Sequence, residues 1–341
     1  SILLINNGRI DEAGALLSEL TAQESSNVTA LFYLSLVCNL KGDRAQEKAL
    51  LERIIALEPD NTDANASLGR IYASEKKYRE AEGYYRKALS AGVWNEEASL
   101  GYGRVLLSQK KNDEALKQYD EVIKNNPDNM LAYIDRAYIK SVREDYSGAE
   151  SDLDQAVRID PGYVWNYLDR GRSRLYGGRY EKAAEDFSRV LSADSSVFIA
   201  YAHRAEAYEG SGRDDLAIED YRKVLELRED YAKGYVPFAL QLFRKGDWKE
   251  SASYFQKALK RDKSPEFMML CAAAFLNAKD KAAAEKIVND NIGAIPREIL
   301  LYHVSRVYVD PYYETIAVQK INEEKKSFEK MKGMFYLAVY Y

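Results

Sequence analysis

Two consecutive stretches decide the fold: MLAYIDRAYIKSVREDYSGAESDLDQAVRIDPGY, residues 130–163, and VWNYLDRGRSRLYGGRYEKAAEDFSRVLSADSSV, residues 164–197. Laid on each other, Arg136 falls on Arg170, Ala149 on Ala183 and Asp152 on Asp186, each 34 residues on. The period extends both ways. Ala81, Ala115, Ala149, Ala183 and Ala217 share one place in it, and Pro59, Pro127 and Pro161 another. With those alanines at position 20, units begin at Val28, Thr62, Glu96, Met130, Val164 and Phe198, and three shorter ones at Ala232, Pro265 and Glu298. A fixed period of this length is the signature of a stacked repeat architecture.

Within a unit, apolar residues recur at three- and four-residue spacing in two stretches of about 13 residues, predicting helices A and B. Position 8 is small (Gly69, Gly103, Ala137, Gly171, Ala205, Ala239) and position 24 large (Tyr85, Tyr119, Leu153, Phe187, Tyr221, Phe255). Small residues at 8 and 20 let the two helices approach closely, and the large one fills the space beside them. Gly177-Gly178 and Gly210-Ser211-Gly212 separate A from B, and the prolines at position 32 stop helix B. The pattern resembles the tetratricopeptide repeat (TPR) over essentially the whole chain. The resemblance implies an all-α fold, a right-handed α-α superhelical solenoid of TPR helix-turn-helix repeats. The expected organisation is a partial TPR at 1–27, six regular 34-residue TPRs at 28–231, three shorter, more degenerate repeats at 232–330, and a partial helix A at 331–341.

Positions 7 and 23 switch together. They are Arg and Asp in three units, Arg136 with Asp152, Arg170 with Asp186 and Arg204 with Asp220. Elsewhere they are Leu34 with Leu50, Leu68 with Tyr84, Tyr102 with Gln118 and Phe238 with Tyr254. Position 7 lies on helix A and position 23 on helix B, so partly buried ion pairs are expected across three hairpins, replacing apolar contacts.

In the TPR family helix A lines the concave side, at about positions 2, 5, 9 and 12. Here those positions carry Arg70, Arg104, Leu131, Ile134, Tyr138, Trp165, Leu168, Arg172 and Leu175. The expectation is an apolar and aromatic peptide-binding groove edged by arginines, with Tyr138, Trp165, Leu168 and Arg172 at its centre. Trp, Tyr and Arg dominate binding hot spots, and the arginines suggest a ligand bearing a carboxylate. The Lys and Asn set with which some TPR proteins grip chaperone tails is missing. Positions 5 and 9 read Phe32 and Leu36, Ala66 and Arg70, then Leu100 and Arg104.

Composition excludes other classes. The 341 residues hold 49 basic and 54 acidic side chains, a net charge of −5, which gives no sign of nucleic-acid binding. No apolar run approaches a membrane span. The compartment stays open between cytoplasm and periplasm for what reads as a soluble protein. Two histidines, His203 and His303, and two cysteines, Cys38 and Cys271, are too few and too scattered for a triad, a zinc site or a disulfide framework. His203 reads as a surface residue and both cysteines as core. Asp214-Asp215 resembles a helix cap. Gly101-Tyr102-Gly103 falls inside a helix A, where no phosphate loop forms. No cofactor, metal or catalytic residue is expected. The function expected is a protein–protein interaction scaffold holding another protein or peptide. The alternatives are a recruiting or regulatory segment of a larger enzyme or signalling protein, and a structural spacer. The apolar final stretch Met334–Tyr341 adds an expectation of self-association through that end.

Overall fold

The computed structural model describes residues 1–90 and 92–341. Helices dominate, and no strand occurs among the described residues. They form two compact units, Ser1–Asn166 and Tyr167–Tyr341.

The first unit opens with α1 (Ile2–Asn6) and α2 (Ile10–Gln23). Four antiparallel hairpins follow: α3 (Val28–Lys41) with α4 (Arg44–Leu57), α5 (Thr62–Ser74) with α6 (Tyr78–Ser90), α7 (Glu96–Ser108) with α8 (Asn112–Asn125), and α9 (Met130–Val142) with α10 (Tyr146–Ile159). Each first helix starts on the same device. Asn27, Asn61, Asn95 and Asn129 accept the backbone N–H of Ala30, Ala64, Ala98 and Ala132 at 2.8–3.0 Å. An Asn side chain at this place satisfies an N–H that the helix itself leaves unpaired.

The hairpins close as the small-against-large pattern requires. A Cβ at Gly69 would stand 2.7 Å from the ring of Tyr85, and one at Gly103 2.5 Å from that of Tyr119. Both tyrosines are buried, so the glycines give up helix propensity for close packing. The exception is Glu47. It occupies position 20, where the next five units have alanine, and is nonetheless buried. Asn39 donates to it at 3.0 Å and Arg70 of the next repeat at 2.6 Å, while its Oε2 stays buried without a partner.

The second unit takes α11 (Trp165–Tyr176) from Tyr167 onward and α12 (Tyr180–Ala193). It continues with α13 (Phe198–Gly210), α14 (Asp214–Leu227), α15 (Tyr235–Lys245), α16 (Trp248–Arg261), α17 (Pro265–Asn277), α18 (Lys281–Asn291), α19 (Leu300–Val309), α20 (Glu314–Glu323) and α21 (Ser327–Tyr340). Gly171 meets Phe187 as Gly69 meets Tyr85, at 2.7 Å. The last helix begins at Ser327, four residues ahead of the expected Met331. The reason is local. Both α19 and α20 are only ten residues long, and the 3-10 turn Pro311–Tyr313 replaces the first turn of α20. The Tyr308 hydroxyl donates to the Tyr336 carbonyl at 2.7 Å, tying α19 to α21.

Candidate partner-binding face

The three Arg–Asp pairs form bidentate contacts across their hairpins. Arg136 reaches Asp152 at 2.6 and 2.9 Å, Arg170 reaches Asp186 at 2.7 and 3.0 Å, and Arg204 reaches Asp220 at 2.7 and 2.8 Å. The aspartates are buried. Each guanidinium also lies over a tyrosine three residues before it, Tyr133, Tyr167 and Tyr201, at 5.3–5.6 Å. Burial works against the Arg136 charge, but Asp152 and Asp120 together hold its pKa above the usual value. In α15 and α16 the same place is filled by Phe238 edge-on to Tyr254, ring centres 4.7 Å apart. These are structural contacts between the two helices of a hairpin.

In the first unit the candidate face is carried by α5, α7 and α9. Leu131, Tyr138 and Val142 form an exposed stripe along α9, with Tyr138 57% accessible. Trp165 is exposed as well. Ile134 is half-buried beside Ala137, Ala149 and Leu153, so it supports the stripe from below. The two arginines expected on this face, Arg70 and Arg104, are already engaged. Arg70 pairs with Glu47 at 2.6 Å and Glu97 at 3.1 Å, and Arg104 pairs with Asp135 of the next repeat at 2.6 Å. Burial lifts the Asp135 pKa above the usual carboxylate range, against the pull of Arg104.

The second unit holds the remaining residues. Leu168 is half-buried and Arg172 exposed. The carboxylate nearest Arg172 is Asp169 on its own helix, 3.6 Å away, whose pKa burial raises while Arg172 lowers it. The following repeat sets His203 where Asp135 stands for Arg104. Leu175 is not a groove residue. At 6% exposure it packs with Ala183, Ala184 and Phe187, because position 12 turns toward helix B.

Two other expectations are corrected. His203 is not a surface side chain: its ring stacks on Phe187 with centres 5.6 Å apart, and its side chain is 13% exposed. Asp214 and Asp215 do not cap a helix but form the first turn of α14, where their charge suits the helix N-terminus. Capping aspartates do occur, at Asp43, Asp145 and Asp280. Cys38 and Cys271 are buried free thiols, and burial pushes Cys271 up to about 12. Among the described residues no His, Cys, Asp and Glu cluster could hold a metal ion, and no helix is long and apolar enough to cross a membrane. Sequence reasoning missed Val142 and Glu47. The signal for Glu47 was present, since it breaks the alanine series at position 20.

Stacked helical hairpins, one of which presents an apolar stripe on its first helix, define an α-helical repeat scaffold. Tetratricopeptide repeat models match residues 72–134 in one case and 43–93, 168–232 and 237–296 in another, the latter more than half of the sequence. The chain belongs to the tetratricopeptide repeat family. No curated protein matches it in sequence. A tetratricopeptide repeat protein from Parabacteroides merdae is similar in structure, with a TM-score of 0.50 and 23% identity over 72% of this chain and 97% of that one. The C-terminal part of a TPR repeat-containing protein from Cytophaga hutchinsonii is similar with a TM-score of 0.50 and 16% identity, over 77% of this chain and 94% of that one. These likenesses show the fold. Scaffolds of this fold generally serve protein–protein interaction.

Proposed function

We propose that this protein is an interaction scaffold that seats a polypeptide segment on the first-helix face of residues 1–166. The observation that carries the reading is the exposed stripe Leu131, Tyr138 and Val142 on α9, with Trp165 also exposed. These side chains stand in water in a repeat whose other apolar residues, Tyr163 apart, are buried or half-buried, which marks a contact surface. Aromatic anchors of this kind provide large contact area at low entropic cost. A peptide with apolar side chains at alternate or helical spacing fits such a face.

Selection from a random peptide library against the intact chain tests the proposal. A saturable binder is expected whose affinity falls about tenfold or more in Tyr138→Ala and in Leu131→Asp. Both positions are exposed, so the circular dichroism spectrum should be unchanged. Unaltered affinity in both variants would place the partner elsewhere.

A second reading is favoured by α21. Phe328, Met331, Met334 and Phe335 are exposed on it. Such a face supports self-association, and a molecular mass that does not change with concentration in light scattering would rule it out.

A further inference from the structure

Tyr85 fills position 24 of its repeat, and the tip of its ring reaches into the next first helix at Gly101. A Cβ at Gly101 would lie 2.4 Å from the Tyr85 hydroxyl. Helix interiors disfavour glycine by about 1 kcal/mol, and Gly101 is not needed for a turn, since it lies well inside α7. Its missing side chain admits the Tyr85 ring, and beside that ring lies a cleft of about 340 Å³ whose lining includes Arg70, Tyr85, Glu97, Leu100, Gly101 and Arg104. The neighbouring repeat does the opposite. Its Tyr119 hydroxyl is sealed without a partner, and Asp135 stands where Gly101 would be.

The cleft has a polar floor and a rim without excess positive charge. Tyr85 is 2% exposed, lines the cleft, and its hydroxyl has no hydrogen-bond partner among the described residues. Burial holds this phenol well above its usual pKa, so it stays protonated and able to donate. Arg70 and Arg104 face three carboxylates, those of Glu47, Glu97 and Asp135. With three carboxylates to two guanidiniums the rim does not attract a carboxylate, and an ammonium offers no acceptor to the Tyr85 hydroxyl on the floor. The guanidinium N–H groups and the phenol can donate, while the half-exposed Glu97 can accept. Leu100 and Val105 supply an apolar wall. A neutral group with both a carbonyl and an NH₂, on a short apolar stem, answers all of these features.

We propose that this cleft binds the side-chain carboxamide of a glutamine in the partner polypeptide. The carbonyl accepts from the Tyr85 hydroxyl, the amide N–H donates to Glu97, and the methylenes lie along Leu100 and Val105. The volume is at the small end for ligand sites and suits one side chain rather than a cofactor. The proposal rests on the reading that the partner lies along the first-helix face of this unit.

The test is an NMR titration of the intact ¹⁵N-labelled chain with three probes: N-acetyl-glutamine methylamide, its glutamate counterpart and its norleucine counterpart. The glutamine compound is expected to shift the Gly101 and Val105 amides saturably and to bind at least about fivefold better than either other, the scale of one net hydrogen bond. Tyr85→Phe removes only the hydroxyl and should reduce the glutamine affinity to that of norleucine, with the rest of the spectrum preserved. Equal or tighter glutamate binding, no shift at Gly101, or an unaffected Tyr85→Phe variant would each overturn the proposal. None of these results touches the broader reading, which stands or falls on Tyr138 and Leu131.

Discussion

Arg204 and Asp220 show how a charge is tolerated between two packed helices. The pair is bidentate, the aspartate is buried, and Ser188 accepts from the remaining guanidinium nitrogen at 2.9 Å. Removing one partner leaves the other desolvated and unpaired. Arg204→Leu or Asp220→Leu alone should cost about 3–5 kcal/mol, and the double variant far less. Urea denaturation of the three variants reads this directly, and additive losses would show that the pair is not coupled. These pairs were legible in the sequence because positions 7 and 23 change together, and Leu34 with Leu50 shows the apolar alternative. The arginine row was legible only as spacing. That Arg104 is neutralised by Asp135, 31 residues on, depends on how one repeat stacks on the next, which periodicity within a repeat does not specify. Leu175 was misread because position 12 lies a heptad after position 5, and like Leu168 it packs against Ala183, Ala184 and Phe187 rather than standing in the open.

At the scale of the helix, one backbone position recurs with a fixed conformation. The residue at position 15, which ends each first helix, is left-handed in eight repeats. Gly42, Gly178, Gly212 and Gly246 hold it at φ from 71° to 92°, and Lys76, Lys110, Glu144 and Lys279 at 60° to 63°. A side chain at such a φ costs about 1–2 kcal/mol. Lys110→Gly should therefore stabilise the protein by about 1 kcal/mol, and Gly178→Ala should destabilise it by a similar amount. Thermal unfolding of the two variants checks both signs, and a loss of stability in Lys110→Gly would contradict the account. Glycine pairs marked these helix ends in the sequence at Gly178 and Gly212. The lysine-bearing ends gave no local signal, and only the 34-residue period located them. The asparagine caps were equally regular at Asn27, Asn61, Asn95 and Asn129, but a cap is recognised by its hydrogen bond rather than by composition.

For the whole molecule, stability in a repeat array is a sum of local terms, since each repeat contacts only its neighbours. A cavity made in one place should loosen only nearby helices. Phe255→Ala, which empties a fully buried site, should cost about 3–5 kcal/mol locally. Hydrogen exchange is expected to quicken in α15 to α18 and stay unchanged in α3 to α6; uniform acceleration along the chain would mean a single cooperative body. The fold was legible at this scale because a period repeated many times averages out local ambiguity. The binding face was less so, because a stripe of exposed side chains becomes visible only once the burial of its neighbours is known. Glu47 adds a consequence of another kind. Its charge is tolerable only beside an arginine supplied by the repeat that follows. Tandem segments of this type are often pictured as beads that can be shuffled, duplicated or lost. This bead cannot be moved without its neighbour, so residues 28–61 and 62–95 are bound to travel together whenever such a chain is rearranged.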